Sequence, residues 1–146
     1  HDIGKVAVPD AVLLKPGALS PAEFETIKTH VTLGAEMLAD SPSLLVQLAA
    51  ELTLSHHERW DGTGYPSGQV GESIPLSGRI VAVADVYDAL ISARVYKHAW
   101  PPIDAINYVI AGSGTHFDPR VVHAFIAAMI RRDSSLLSLL DQSALA

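Results

Sequence analysis

The sequence predicts an all-α fold, and three observations carry that prediction. Apolar residues recur at three- and four-residue spacing through the longer segments, and serine or aspartate followed by proline stands where such segments begin. A composition of 49% hydrophobic and 18% charged residues over 146 residues suits one domain with a core of ordinary size.

The first helix is expected from Ser20, where Ser-Pro-Ala-Glu offers an N-cap serine, a first-turn proline and Glu23 to close a capping box. Phe24, Ile27, Val31, Ala35 and Leu38 give it one apolar face, and His30 falls on that inward side. A second helix is read from about Leu44 to Glu58, with Leu45, Leu48, Leu52 and His56 on one face, delivering His56-His57 at its end. Trp60 to Gly68 is dense in turn residues and is expected to form an ordered loop, because its aromatic side chains need a surface to pack on. A third helix is read from Arg79 to Arg94, with Val81, Ala84, Asp85, Asp88 and Ser92 along one face, where two carboxylates are unusual. Pro101-Pro102 precedes a helix of about Ile103 to Ala111, and Asp118-Pro119 opens a last one ending near Arg132. Residues 1–132 are thus read as the core, and 133–146 as a C-terminal helix or tail, without repeat or low-complexity linker.

Composition also excludes. A net charge of -6 gives no general attraction to nucleic-acid polymers or anionic membranes, so a phosphate-bearing ligand must be held by local cations or by metal. Without cysteine there is no disulfide and no thiolate chemistry, and any metal must bind through His, Asp or Glu. Apolar runs stop well short of the ~20 residues that a membrane span needs and no signal pattern opens the chain, so no membrane contact and a cytoplasmic location are expected. The chain opens on His1 inside a motif and is read as an excerpt of a longer protein.

His1-Asp2, His30, His56-His57 and Asp85 are hard-to-borderline ligands on separate segments, in a number that exceeds one tetrahedral zinc and suits more than one octahedral ion. With these residues stand His1-Asp2-Ile3-Gly4-Lys5, Lys15-Pro16-Gly17, His56-His57-Glu58, Asp61-Gly62-Thr63-Gly64-Tyr65-Pro66, Asp85-Val86-Tyr87-Asp88-Ala89-Leu90 and Arg94-Val95-Tyr96-Lys97, in order from His1 to about Ile126. This series resembles the HD-GYP subgroup of the HD phosphohydrolase superfamily.

The resemblance implies a helical HD-domain bundle with a metal site in its core and a Gly-Tyr-Pro loop beside it. It implies two or three divalent ions, iron or manganese, ligated by His1, Asp2, His30, His56, His57 and Asp85, with Lys5 assisting. Many members add a glutamate and a histidine from a helix upstream of the His-Asp pair. Gly64 and Tyr65 would flank substrate or partner, and Arg94 and Lys97 would face the substrate phosphates. The implied reaction is hydrolysis of cyclic di-GMP to pGpG or GMP by a metal-activated hydroxide. Alternatives are another cyclic dinucleotide or nucleotide phosphate, or a non-catalytic adaptor whose loop docks a diguanylate cyclase domain. An upstream sensor or receiver domain and a homodimer are expected on the same ground. Gly62, Gly64 and Pro66 can equally be turn formers, Asp88 an acceptor for a ligand histidine or a surface residue, and Glu58 a histidine-orienting or exposed helix-end carboxylate. His98, His116 and His123 match no ligand position and are read as structural or surface residues.

Overall fold

The computed structural model describes residues 1–93 and 98–136. Every regular element among them is helical: α1 (Asp10–Leu13), α2 (Pro21–Lys28), α3 (His30–Leu38), α4 (Leu44–Ser55), α5 (Leu76–Ile91), α6 (Pro102–Ala111) and α7 (Pro119–Arg132), with 3-10 turns at Ile3–Ala7 and Gly71–Ser73. The chain forms two compact units, His1–Val81 and Ala82–Ala146, and α5 runs through the division.

In the first unit α2 starts as its sequence dictates. The Ser20 hydroxyl accepts from the Glu23 N–H, and the Glu23 carboxylate accepts from the Ser20 N–H at 2.7 Å. The single helix expected to run on to Leu38 is instead two. Thr29 adopts a 3-10-like conformation, its hydroxyl donates to the Thr26 carbonyl at 2.7 Å, and the His30 imidazole takes the Ile27 carbonyl at 2.6 Å. Side chains thus satisfy carbonyls that an unbroken helix would give to backbone N–H groups.

α4 also departs from expectation, ending at Ser55 with His56 as C-cap. Its Leu45 and Leu48 point outward, at 75% and 49% exposure, whereas Thr53, Ser55 and His56 are buried. The reason is steric. α3 packs on α4 through Gly34, where a β-carbon would lie 2.8 Å from the Thr53 methyl, so small residues rather than leucines make the contact.

The second unit is built on Ala82, Val83, Val109, Phe117 and Val122, flanked by Val86, Tyr87, Val121, Phe125 and Ile126. α5 begins at Leu76, three residues before the expected Arg79, and ends at Ile91. α7 spans the expected range, capped by the buried Asp118, whose carboxylate accepts from the Arg120 N–H at 2.8 Å. The segment expected as a terminal helix or tail lies outside the described residues beyond 136.

Candidate metal centre

The 3-10 turn Ile3–Ala7 brings the His-Asp pair to α3. Gly4 is buried against it, so closely that a β-carbon would overlap the His30 carbonyl oxygen. His1 and Asp2 therefore lie beside His30, while the end of α4 presents His56 and His57. His1 and His56 ring centroids are 4.9 Å apart, His30 and His56 5.5 Å, and His30 and His57 5.2 Å. Two sets of potential ligand atoms result, one from His30, His56 and His57 and one from His1, Asp2 and His56, each with its atoms within 4.8 Å of one another. His56 belongs to both.

The hydrogen bonds select which nitrogen faces this cluster. Nδ1 of His30 and of His56 lie 2.6 and 2.8 Å from the carbonyls of Ile27 and Thr53, and since a carbonyl only accepts, both Nδ1 atoms carry the proton. Nε2 of each is thereby left facing the cluster, the orientation in which ligand imidazoles are usually held. His30 Nε2 and Asp2 Oδ1 are buried, 3.4 Å apart, and without a hydrogen-bond partner among the described residues. Two buried polar atoms left so would each carry a desolvation penalty that a cation between them removes.

Charge points the same way. Burial pushes the Asp2 carboxyl up, but the Lys5 ammonium that donates to Oδ2, with His30 and His56 nearby, holds it below the usual carboxylate range. Burial, then the adjoining His56 and His30, pushes His57 down to about 3, so its imidazole is neutral at physiological pH. An ionised carboxylate and neutral imidazoles are the protonation states that ligate metal. The residues present fit a divalent-ion site.

Residues 1–121 match the family described as HD domain. The chain belongs to the HD domain family. It is 55% identical over 132 residues to a cyclic di-GMP phosphodiesterase of Vibrio cholerae, covering 87% of this chain and 27% of that protein. It is 45% identical over 126 residues to a 3'3'-cGAMP-specific phosphodiesterase of the same organism, covering 86% and 24%. The chain thus spans about a quarter of the length of these curated relatives. A solved structure of a cyclic GMP-AMP specific phosphodiesterase from V. cholerae shares the fold, with a TM-score of 0.57 at 22% identity over 92% of this chain and 34% of that one.

In this HD domain the Gly-Tyr-Pro segment folds back onto the histidine pair. Tyr65 N–H donates to the His57 carbonyl at 3.2 Å, and its ring lies 4.8 Å from the His57 ring at a 30° tilt. Gly64 is sterically dictated, because a β-carbon there would run into the backbone of His57, Glu58 and Arg59. Lys28 sits over both Tyr65 and Phe24, 5.3 and 4.9 Å from their centroids. Asp85 is half-buried on the part of α5 that belongs to the second unit. Arg94 and Lys97 lie outside the described residues. Asp88 is exposed and takes a long hydrogen bond from Ser92, the surface reading. His98 and His123 are exposed, and His116 stacks on Phe117 at 4.1 Å.

Sequence reasoning missed Glu58. It is neither an exposed helix-end group nor a partner of the histidines: 3% exposed, it accepts from the N–H groups of Ser67 and Gln69. The one signal available was an acidic residue placed directly before a turn-rich loop.

Proposed function

We propose that this HD domain is the catalytic part of a phosphodiesterase that hydrolyses cyclic di-GMP, with two or three divalent ions, iron or manganese, as resident cofactors. The observation that carries the proposal is the convergence of His1, Asp2, His30, His56 and His57, with buried ligand atoms turned toward a common centre, in a chain so similar to a cyclic di-GMP phosphodiesterase. Those five residues would hold the ions, with Asp85 as a further ligand. Bound there, the ions would activate water and neutralise charge on the phosphoryl oxygens.

The chain's own groups do the rest. Lys5 keeps Asp2 ionised, and so a ligand rather than a proton donor. The Ile27 and Thr53 carbonyls fix the tautomers of His30 and His56, so that the cluster needs little rearrangement when charge develops. Arg94 and Lys97 would contact the two phosphates of the dinucleotide, and Tyr65 would border the substrate. Because the chain spans a quarter of its relatives' length, an upstream sensor or receiver domain is part of the proposal. The 45% identity to a cGAMP-specific enzyme favours cGAMP as the second substrate to test.

The test is anaerobic metal analysis joined to chromatographic assay of cyclic di-GMP, with cGAMP in competition. At least two ions per chain, with pGpG or GMP formed and both lost in Asp2→Ala, is the expected result. A chain that stays metal-free and inert would overturn it, and preferential loss of cGAMP would correct the substrate.

A further inference from the structure

We infer that Glu58 is a positioning residue: its buried carboxylate seats the Gly-Tyr-Pro loop so that the Tyr65 ring lies against His57. The functional part of this inference rests on the phosphodiesterase reading above, whereas its geometric part does not.

Glu58 is 3% exposed, and its two oxygens each hold one backbone amide of the loop, Oε1 taking Ser67 N–H at 2.7 Å and Oε2 taking Gln69 N–H at 3.0 Å. A carboxylate taken from water without hydrogen bonds would be costly, and two charge-assisted N–H bonds are the compensation found here. The residue before it is His57, whose carbonyl receives the Tyr65 N–H. Gly64 permits the loop backbone to lie directly on residues 57–59. The fold-back is thus fastened at Tyr65 itself by the His57 carbonyl, and just beyond it by Glu58 at positions 67 and 69. With both fastenings in place the tyrosine ring lies 4.8 Å from the His57 ring and edge-on to Phe24 at 6.5 Å.

A second feature argues that this carboxylate belongs to the site and is not just a loop brace. It stands directly after the His56-His57 pair, and the loop that it holds also bonds the His57 carbonyl through the Tyr65 N–H. Replacing the carboxylate by a carboxamide keeps size and shape but leaves one acceptor oxygen and turns an NH2 group toward an N–H. Glu58→Gln is therefore a small lesion aimed at one of the two amide bonds.

The experiment compares the metal-loaded parent, Glu58→Gln, Tyr65→Ala and the double variant. Hydrogen exchange over residues 59–70 and a crystal structure of Glu58→Gln read the geometry, and a double-mutant cycle on cyclic di-GMP hydrolysis reads the function. In Glu58→Gln the loop amides are expected to exchange faster, the Tyr65–His57 separation to lengthen, and metal content to stay at the parent's level. A misplaced active-site group can cost up to about a hundredfold, so kcat/KM should fall about ten- to a hundredfold, and the same change made on Tyr65→Ala should add little. Unchanged exchange with an unchanged ring separation would overturn the inference, as would effects that add fully with Tyr65→Ala. If the parent itself is inert, the phosphodiesterase reading fails and the exchange and crystal data alone decide this one. Should Glu58→Gln not fold, Ser67→Pro removes one of the two donors with the carboxylate intact, and must loosen the same segment.

Discussion

Gly4 and Glu23 each expose a physical demand that a single substitution can test. Gly4 has no room for a methyl group under the His30 carbonyl, so Gly4→Ala must push the His1-Asp2 pair away from α3. We expect a loss of about 1–3 kcal/mol, the usual cost of overpacking, together with reduced metal content, measured by denaturant unfolding and elemental analysis. Glu23 is held down to about 2, against its ordinary 4.5, by the Lys15 ammonium at 2.6 and 2.9 Å and by the Ser20 cap. Between those two pH values the unfolded chain binds the proton and the folded chain does not. The stability from this group is therefore complete above pH 4.5 and is lost as pH falls toward 2. Melting curves of the parent and Glu23→Gln should differ at pH 6 and converge at the acid end. The gathering of His1, Asp2, His30, His56 and His57 was legible in the sequence as a set of candidate ligands, through their residue types and their order along the chain. Glu58 was not, because its partners are backbone amides nine and eleven residues on, and amides leave no trace in a sequence.

Helices whose ends carry chemical signals were the most legible elements. Asp118-Pro119 marked the start of α7 to the residue, and Ser20-Pro21 that of α2. Asp118→Ala should cost about 1–2 kcal/mol by removing the cap, read as a shift in denaturant midpoint with an unchanged slope. The break at Thr29 was hidden because the apolar spacing continues across it, while the cause, carbonyls taken by Thr29 and His30, lies in hydrogen bonding. Which side of α4 is buried was not legible for a related reason. Leucine counts for more than alanine or threonine in a periodicity argument, yet Gly34 draws α3 close enough that small residues must face it.

At the scale of the molecule, the clustered candidate ligand atoms found among the described residues belong to the first unit, drawn from residues 1–2, 30 and 56–57. Binding a metal therefore links segments that the unfolded chain keeps far apart. A ligand present at a hundred times its dissociation constant stabilises by about 2.7 kcal/mol, so chelation should lower the melting temperature measurably and Asp2→Ala should abolish that dependence. Hydrogen exchange should show metal-dependent protection within residues 1–81. If Asp85 ligates as proposed, protection should extend into residues 82–91, and its absence there would remove Asp85 from the set. The division into two units was not legible, because α5 reads as one uninterrupted helix across it.

The clamp at the end of α4 has a consequence for how this chain can vary. Because Glu58 grips main-chain amides, it is blind to which side chains stand at positions 67 and 69. The exposed position 67 should accept almost any residue in a saturation library, with proline depleted for want of an N–H, whereas position 69 is further constrained by its own half-buried side chain. Gly64 should tolerate nothing larger, so drift across the loop would be free at some positions and frozen at others a few residues away.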